Sequence, residues 1–595
     1  MAANLHPECW VPERILRGQL AAAGVQARLA RCGDALVLSG AQLAGEALVC
    51  RVDRCGPQDC PLDEPLAQAA CGLMAVHGRG RGRRAARLGV DCVTTATGVV
   101  LAQAVLAALL ARGRGAAVRE ISVSMPATAL LMVAQHLAAA SAGHPDALLR
   151  SRPGHPPPFR CADGVSVELD TRYAESWRLL WTSLGVPDTV AERAWRPFML
   201  RHLTGLAPLP ARLHEATAAR TFAELGSAAA VAGVAVQRLR SHPERRDELG
   251  SVRPFSSPWT VEPAGAPVAA PRCARAPARL DAPLAGVVVA EAGRRVQVPL
   301  AGHLLRLLGA EVISIEPAGG DPLRRLPPVV GDCSARFLAL NRGKRALPVD
   351  LWDPAARCAV LDVVREADVL IHSWPAGKAA HLGLDHDHLT AINPRLVWVH
   401  AGAWGDALDP HPPLGTEFLV QAYAALPDHL TPAGQAPSGT LVPLLETISG
   451  LLTTSGVLAG LLGRERDGRG RRVHTSLLGA ATLLQAHLGE RGANGRPELD
   501  VLGVPLPGLD GELVLSRTAP PRAACGALGV GEPAGLPAAL AAQRVETSRA
   551  LLAAAGVDAV RACCDLSELA TDPWVAQLVA WDRCALVRAP WRLTP

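Results

Sequence analysis

Lysine is almost missing from this chain. Of its 60 lysine and arginine residues, only Lys344 and Lys378 are lysines. Alongside abundant Ala, Gly and Pro, this reads as the coding bias of a GC-rich genome and not as a chemical requirement. A surplus of charge of one sign is missing too: the net charge is +5 over 595 residues, which gives no reason to expect nucleic acid as a partner. The first residues, "MAANLHPECWVPERILRG", hold no apolar core of a signal peptide. No apolar stretch runs to the length of a membrane span without a charge, a Gly/Pro break or a polar interruption. The expectation is therefore a cytoplasmic protein with no membrane partner. Paired CxxC or HxxxH motifs are absent as well. The 15 cysteines are scattered, with Cys50, Cys55 and Cys60 evenly spaced and Cys563 and Cys564 adjacent. No metal is expected, and the thiols read as reduced and mostly buried.

What is present is a repeat. "PPFRCADGVSVEL" (157–169) resembles "VPLPGLDGELVLS" (504–516), each a strand, an Asp-Gly turn and a strand. Upstream, "TTATGVVLAQAVLAALLARGRG" (94–115) matches "ETISGLLTTSGVLAGLLGRERDGRG" (446–470). Downstream, "AGVAVQRLRSHPE" (232–244) resembles "AGVDAVRACCDLSE" (555–568), and "SPWTVEP" (257–263) resembles "APWRLTP" (589–595). The four blocks keep their order in both halves. Length allows two to four domains. The divisions expected are a truncated first copy over 1–261 with its small domain at about 157–230, an Ala/Pro-rich linker at 262–283, a large α/β domain at 284–480, and a shortened small domain with a returning segment at 481–595.

Only the second copy is preceded by a long α/β segment. "PLAGVVVAEAG", "EVISIEP", "DVLIHSW" and "RLVWVHAGAWG" are near-continuous apolar strands separated by the helical stretches 298–310, 353–367 and 385–394. That alternation predicts a doubly wound parallel sheet, nucleotide-binding-like, with ligand at the carboxyl ends of the strands. In this setting Glu446 is out of place, a carboxylate in the first turn of an apolar helix. Read alone, it either steadies its helix by ~0.3–1 kcal/mol or does chemistry.

The strings "PLAGVVVAEAG", "IEPAGGDPLRR", "FLALNRGKRALPVD", "LGL…INPRLVWV" and "GRERDGRGRRVHTSLLGAA" resemble, in order and spacing, the class III CoA-transferases, the group of formyl-CoA transferase, carnitine CoA-transferase and the bile-acid-inducible type. The match covers 283–480 and both Asp-Gly hairpins. Members are dimers of two chains threaded through each other, so a tandem copy implies an intrachain pseudo-dimer of that fold, alone or as a homodimer, whose first half has lost its nucleotide-fold segment. The family's nucleophile is an Asp four residues before a Gly; Glu446 holds that place before Gly450, and Thr94 before Gly98. The resemblance thus implies one site per chain at Glu446, with a carboxylate one methylene longer than usual. It implies Glu417 as a second acid beside it. The racemase branch has a catalytic His where Thr416 stands, which argues against racemase chemistry.

The resemblance also implies coenzyme A as a substrate moiety, with Arg294, Arg295 and Gln297 facing a pyrophosphate, Ser373 and Trp374 lining the nucleotide site, and Lys344 retained. The family's phosphate-binding cations are replaced by Pro317, Trp352, His381, Ala401 and Gly415. "TPAGQAPSGT" (431–440), with Gly434 and Gly439, matches a glycine-rich loop that covers the active site. The expected function is that of a divergent class III CoA-transferase-like enzyme acting on a small-molecule, or carrier-bound, acyl thioester or activated carboxylic acid through a carboxylate nucleophile. The alternatives are another reaction on the same fold that does not depend on coenzyme A, such as isomerisation, dehydration or acyl transfer in a biosynthetic pathway, and an inactive binding or scaffolding homologue.

Overall fold

The computed structural model describes residues 11–40, 46–143, 149, 154–249, 258–268, 279–405, 412–432, 434–486 and 501–595. The apolar runs of the second half form one seven-stranded sheet. Its order is Arg345–Pro348, Glu311–Glu316, Val288–Ala292, Val369–His372, Val397–Gly402, Gly470–Ser476 and Trp259–Ala264. All neighbours are parallel except the last pair. The strands are apolar at successive positions because both faces are covered. Val289, Ile371 and Val399 pack with Leu300, Leu304 and Ile448. Ala290, Leu370 and Trp398 pack with Val360, Val364 and Leu389. The chain leaves the first strand to one side and later returns on the other, so the order reverses between Val288–Ala292 and Val369–His372. Doubly wound sheets open a crevice at such a point.

The first half keeps a smaller sheet, ordered Arg28–Cys32, Ala35–Ser39, Leu48–Asp53, Glu120–Ser124 and Trp591–Thr594. The two halves trade parts. The first half's closing strand, Trp259–Ala264, pairs with Gly470–Ser476 of the second, and the second half's closing strand, Trp591–Thr594, pairs with Glu120–Ser124 of the first. The small domains cross over likewise. The hairpin sheet with Ser166–Asp170 packs on helix Glu417–Tyr423, and that with Gly511–Leu515 packs on helix Glu64–Ala70. The fold is an intrachain pseudo-dimer. The expected linker is in part structured: its first residues end strand Trp259–Ala264, while 269–278 lie outside the described residues.

Helices Cys92–Gly113 and Leu444–Asp467 cross at the centre, with Gln103 Nε2 donating to Leu451 O at 2.7 Å. Both are long and apolar enough to cross a membrane, and both bury that length inside the protein. Gly98 and Gly450 let a second helix approach each of them. A Cβ on Gly450 would lie 2.8 Å from Gln297 O, and one on Gly98 2.9 Å from Pro12 Cα. The described cysteines are all free thiols.

Glu168, buried on strand Ser166–Asp170, leaves Oε2 without a hydrogen-bond partner. Burial pushes its pKa from 4.5 up to about 8, against the pull of Arg201. The folded state therefore holds a proton that the unfolded chain releases near its ordinary value. The stability this confers is full below pH 4.5 and is lost as pH rises through about 8. Thermal melts between pH 5.5 and 9 are expected to fall less steeply for Glu168→Gln than for the parent chain. Parallel curves would contradict the assignment.

Candidate active site

Strand Val288–Ala292 runs into helix Gln297–Leu307 through Gly293, Arg294, Arg295 and Val296. The turn is tight: a Cβ on Gly293 would overlap the Val298 side chain. Arg295 takes φ +71°, a left-handed conformation that costs a non-glycine residue roughly 1–3 kcal/mol and collects at functional sites. The turn presents the Val296 N–H to Glu446, whose Oε2 accepts it at 3.1 Å. Gln297 ties the same turn to the next turn of Glu446's helix, donating to Ser449 Oγ at 2.7 Å and Gly402 O at 3.3 Å. Glu446 thus lies at two helix N-termini, its own and that of Gln297–Leu307, where unpaired N–H groups favour an anion. Burial raises its pKa; Arg295, the Val296 and Gln297 N–H groups and Arg172 pull the other way.

Glu417 sits behind this group. Its Oε1 accepts from Leu445 N at 2.9 Å and from Gln421 Nε2 at 2.7 Å, and its Oε2 accepts from Glu446 N at 2.7 Å. Gln421 in turn exchanges two bonds with the Thr440 backbone, at 2.9 and 3.1 Å. The first half repeats all five bonds. Glu64 accepts from Val93 N at 3.0 Å, Thr94 N at 2.6 Å and Gln68 Nε2 at 2.8 Å. Gln68 exchanges bonds of 3.0 and 3.2 Å with the Leu88 backbone. This duplicate was legible as "EPLAQAA" against "EFLVQAY", 30 and 29 residues before Thr94 and Glu446. An acid that makes the same contacts in a copy with threonine at the nucleophile position is what the fold uses to start this helix. Glu417 therefore makes contacts that the fold also uses without a carboxylate at the first-turn position. Burial, then the charge of Glu446, pushes its pKa up to about 8. The two carboxylates thus raise each other's cost of ionisation, with Glu417 the one pushed furthest by its neighbour's charge.

A cavity of about 640 Å³ opens at the reversal point of the sheet. Glu446, Arg294, Arg295, Gln297, Ser373 and Trp374 line it, as expected for neighbours of one ligand, and Arg172 joins them from the first half's small domain. So do His372, His400 and His474, which stand in register on three adjacent strands. Their signal was a histidine closing each of "VLIH", "VWVH" and "RRVH". Among the described residues no cluster of His, Cys, Asp or Glu is arranged to hold a metal.

Other expected residues lie elsewhere. Lys344 does not reach the cavity. Its Nζ donates to Glu291 Oε1 at 2.7 Å, Pro299 O at 2.7 Å and Asn341 Oδ1 at 3.1 Å, so all three ammonium hydrogens are consumed in the core. His381 is exposed and sits against Trp352, with ring centroids 5.5 Å apart, outside the cavity lining. None of the described residues of the loop 431–440 lines the cavity. Arg81 of the first half holds its roots, bonding Leu430 O, Thr431 Oγ1 and Ser438 O at 3.4, 3.4 and 3.2 Å. Gly439 lies against Gln421, where a Cβ would come within 2.7 Å of Oε1, and Gly434, at φ +82°, has open space around it.

The family model described as CoA-transferase family III matches residues 59–272 and 284–503. An acetyl-CoA:oxalate CoA-transferase of Acetobacter aceti is 32% identical over 214 residues, 35% of this chain and 54% of its own length. A succinate–glutarate CoA-transferase of Agrobacterium fabrum is 28% identical over 248 residues, 38% of this chain and 62% of its own. The chain spans about half the length of such curated relatives. A crystal structure of the Mycobacterium tuberculosis protein Rv3272 is 28% identical and covers 52% of this chain and 91% of its own, with a TM-score of 0.44.

Proposed function

The chain belongs to CoA-transferase family III, and we propose that its second half is an acyl-transfer site in which Glu446 is the nucleophile and coenzyme A the thiol. The Glu446 carboxylate attacks the thioester carbonyl of an acyl-CoA. The C–S bond breaks, and CoA thiolate and a mixed glutamyl–acyl anhydride form. The thiolate then attacks the glutamyl carbonyl, releasing the donor acid and leaving a glutamyl-CoA thioester. An acceptor carboxylate reverses both steps and restores Glu446. The Val296 N–H on Oε2 would stabilise that oxygen when the thiolate or the acceptor carboxylate adds to the glutamyl carbonyl. Glu417 positions the attacking group by fixing the first N–H groups of its helix.

The observation that carries this reading is the contrast between the halves. Both start the helix with the same five hydrogen bonds, yet at the first-turn position the second has Glu446, lining the cavity of about 640 Å³, where the first has Thr94. The relatives are named for oxalate and for succinate and glutarate, so small carboxylic acids are the acceptor class tested first. The decisive experiment incubates the protein with acyl-CoA and searches by mass spectrometry for a CoA thioester on the Glu446 peptide, removed by hydroxylamine. An adduct there is the expected result. No adduct with any acyl-CoA, together with no CoA binding by calorimetry, would sink the reading.

A carrier-borne thiol is the second reading. Trp352, where the family has a cation, is 60% exposed and carries no charge to pair with a phosphate. Adduct formation from an acyl-pantetheine but not from the matching acyl-CoA would select it.

A further inference from the structure

Arg172 belongs to the first half, yet it lines the cavity of the second. It is held there by a buried contact. Asp170 Oδ2, two residues earlier, accepts from Thr416 Oγ1 at 2.7 Å and from Arg201 Nη2 at 3.1 Å. Thr416 is the residue before Glu417, so the small domain is pinned beside the helix that carries Glu417. The other half has the same device: Ser516 Oγ donates to Asp63 Oδ2 at 2.7 Å, and Asp63 precedes Glu64. There the arginine that follows, Arg517, is neutralised by Asp91 at 3.1 Å. Asp91 stands three residues before Thr94. Three residues before Glu446 stands Pro443, which carries no charge. The second site thus lacks a counterpart of Asp91, and the carboxylate that faces Arg172 and Arg295 there is Glu446 itself.

We propose that Arg172 forms, with Arg294 and Arg295, a clamp for a second anionic group of the ligand, remote from the acyl carbon that meets Glu446. Three guanidinium groups line one cavity, and among the described residues none of the three side chains has a carboxylate within ion-pair distance. Glu446 faces Arg295 and Arg172, so one carboxylate stands against three cations, and a second anion on the ligand would balance them further. Desolvation, then Arg295 and Arg294, lowers the Arg172 pKa, and Arg294 and Arg172 add to burial in lowering that of Lys378. The planar fork of arginine suits a carboxylate or a phosphate oxygen pair equally. The anion is therefore either the far carboxylate of a dicarboxylic acyl group or a phosphate of the thiol carrier. This inference rests on the function proposed above and adds to it the charge of the ligand and the half of the chain that reads it.

The test is calorimetry on the full chain, comparing the parent with Arg172→Ala and Arg172→Lys. Four probes serve: glutarate, valerate, coenzyme A and pantetheine. In Arg172→Ala, one charged probe is expected to weaken by about tenfold or more while its less charged counterpart does not, as the loss of one charge-assisted pairing requires. Loss confined to glutarate over valerate names the acyl carboxylate, and loss confined to coenzyme A over pantetheine names the phosphate. Arg172→Lys should recover part of the loss. Unchanged affinities for all four probes, or an equal fall in all four, would overturn the clamp. If either occurs while the Glu446 adduct still forms, the clamp fails alone. A parent chain that binds neither coenzyme A nor glutarate and forms no adduct takes the proposed function down with it.

Discussion

Replacing Glu446 by glutamine is expected to abolish the CoA adduct and to lower turnover by about 10³-fold or more, the scale seen when a covalent nucleophile is removed. Glutamine keeps the size of the side chain and can still accept the Val296 N–H, so the helix start stays intact. Only the nucleophile is lost. A melting curve unchanged from the parent would show this, with activity as the separate readout. The sharper variant is Glu446→Asp, which installs the residue the family uses. Shortening the side chain draws the carboxylate away from Val296 N–H, now 3.1 Å from Oε2. Displacement of an attacking group by ~1 Å costs on the order of 100-fold, so the aspartate variant should be slower than the parent. Equal or faster turnover with aspartate would mean that the pocket has not been refitted around the longer acid. Full activity in Glu446→Gln would exclude catalysis at this position.

The second large effect is on stability. Lys344 and Glu291 form an ion pair at 2.7 Å whose side chains are 2% and 0% exposed. A Cβ on Gly302 would overlap Glu291 Oε2, so the pair has no room to relax toward that helix. Removing one partner leaves the other charge buried and uncompensated, which costs about 3–5 kcal/mol. Lys344→Ala is therefore expected to lower the denaturation midpoint by several degrees, while each folded molecule binds coenzyme A as before. The double substitution Lys344→Met with Glu291→Leu should recover much of the loss, because two apolar side chains need no solvation. The opposite outcome, an unchanged midpoint with lost coenzyme A affinity, would restore Lys344 to the ligand site. The residue is thus expected to matter for the core, although its motif first suggested a ligand.

The local features were readable because their causes are local. Strands such as "EVISIEP" and "DVLIHSW" are apolar throughout because both faces are covered, and no other environment asks for that pattern. The Asp-Gly hairpins and the order of the repeated blocks were equally plain. Glu446 stood out because a carboxylate in the first turn of an apolar helix needs a reason. The equivalence of Glu64 with Glu417 was present in the spacing, but it became meaningful only when both proved to accept the same N–H groups. On that evidence we propose that Glu417 acts by positioning the first turn of the Glu446 helix.

Other features depended on contacts between residues hundreds of positions apart. A lysine in "LNRGKR" reads the same whether it faces a phosphate or Glu291, because the motif does not say which way the turn carries it. The loop 431–440 has a flexible composition, yet Arg81 from the first half fixes its roots. Arg172 follows strand Ser166–Asp170 with no local pattern that ties it to a cavity of the other half.

The sequence by itself determined the two copies, the doubly wound sheet and the single carboxylate that distinguishes one copy from the other. Those follow from periodicity, spacing and residue type, which are properties of a short stretch of chain. Only the tertiary structure decided that each half gives its closing strand and its small domain to the other, and so that the first half furnishes an arginine to the site of the second. Strand exchange is set by which edges and faces remain unpaired once all elements have formed, a condition of the whole molecule that no local pattern records.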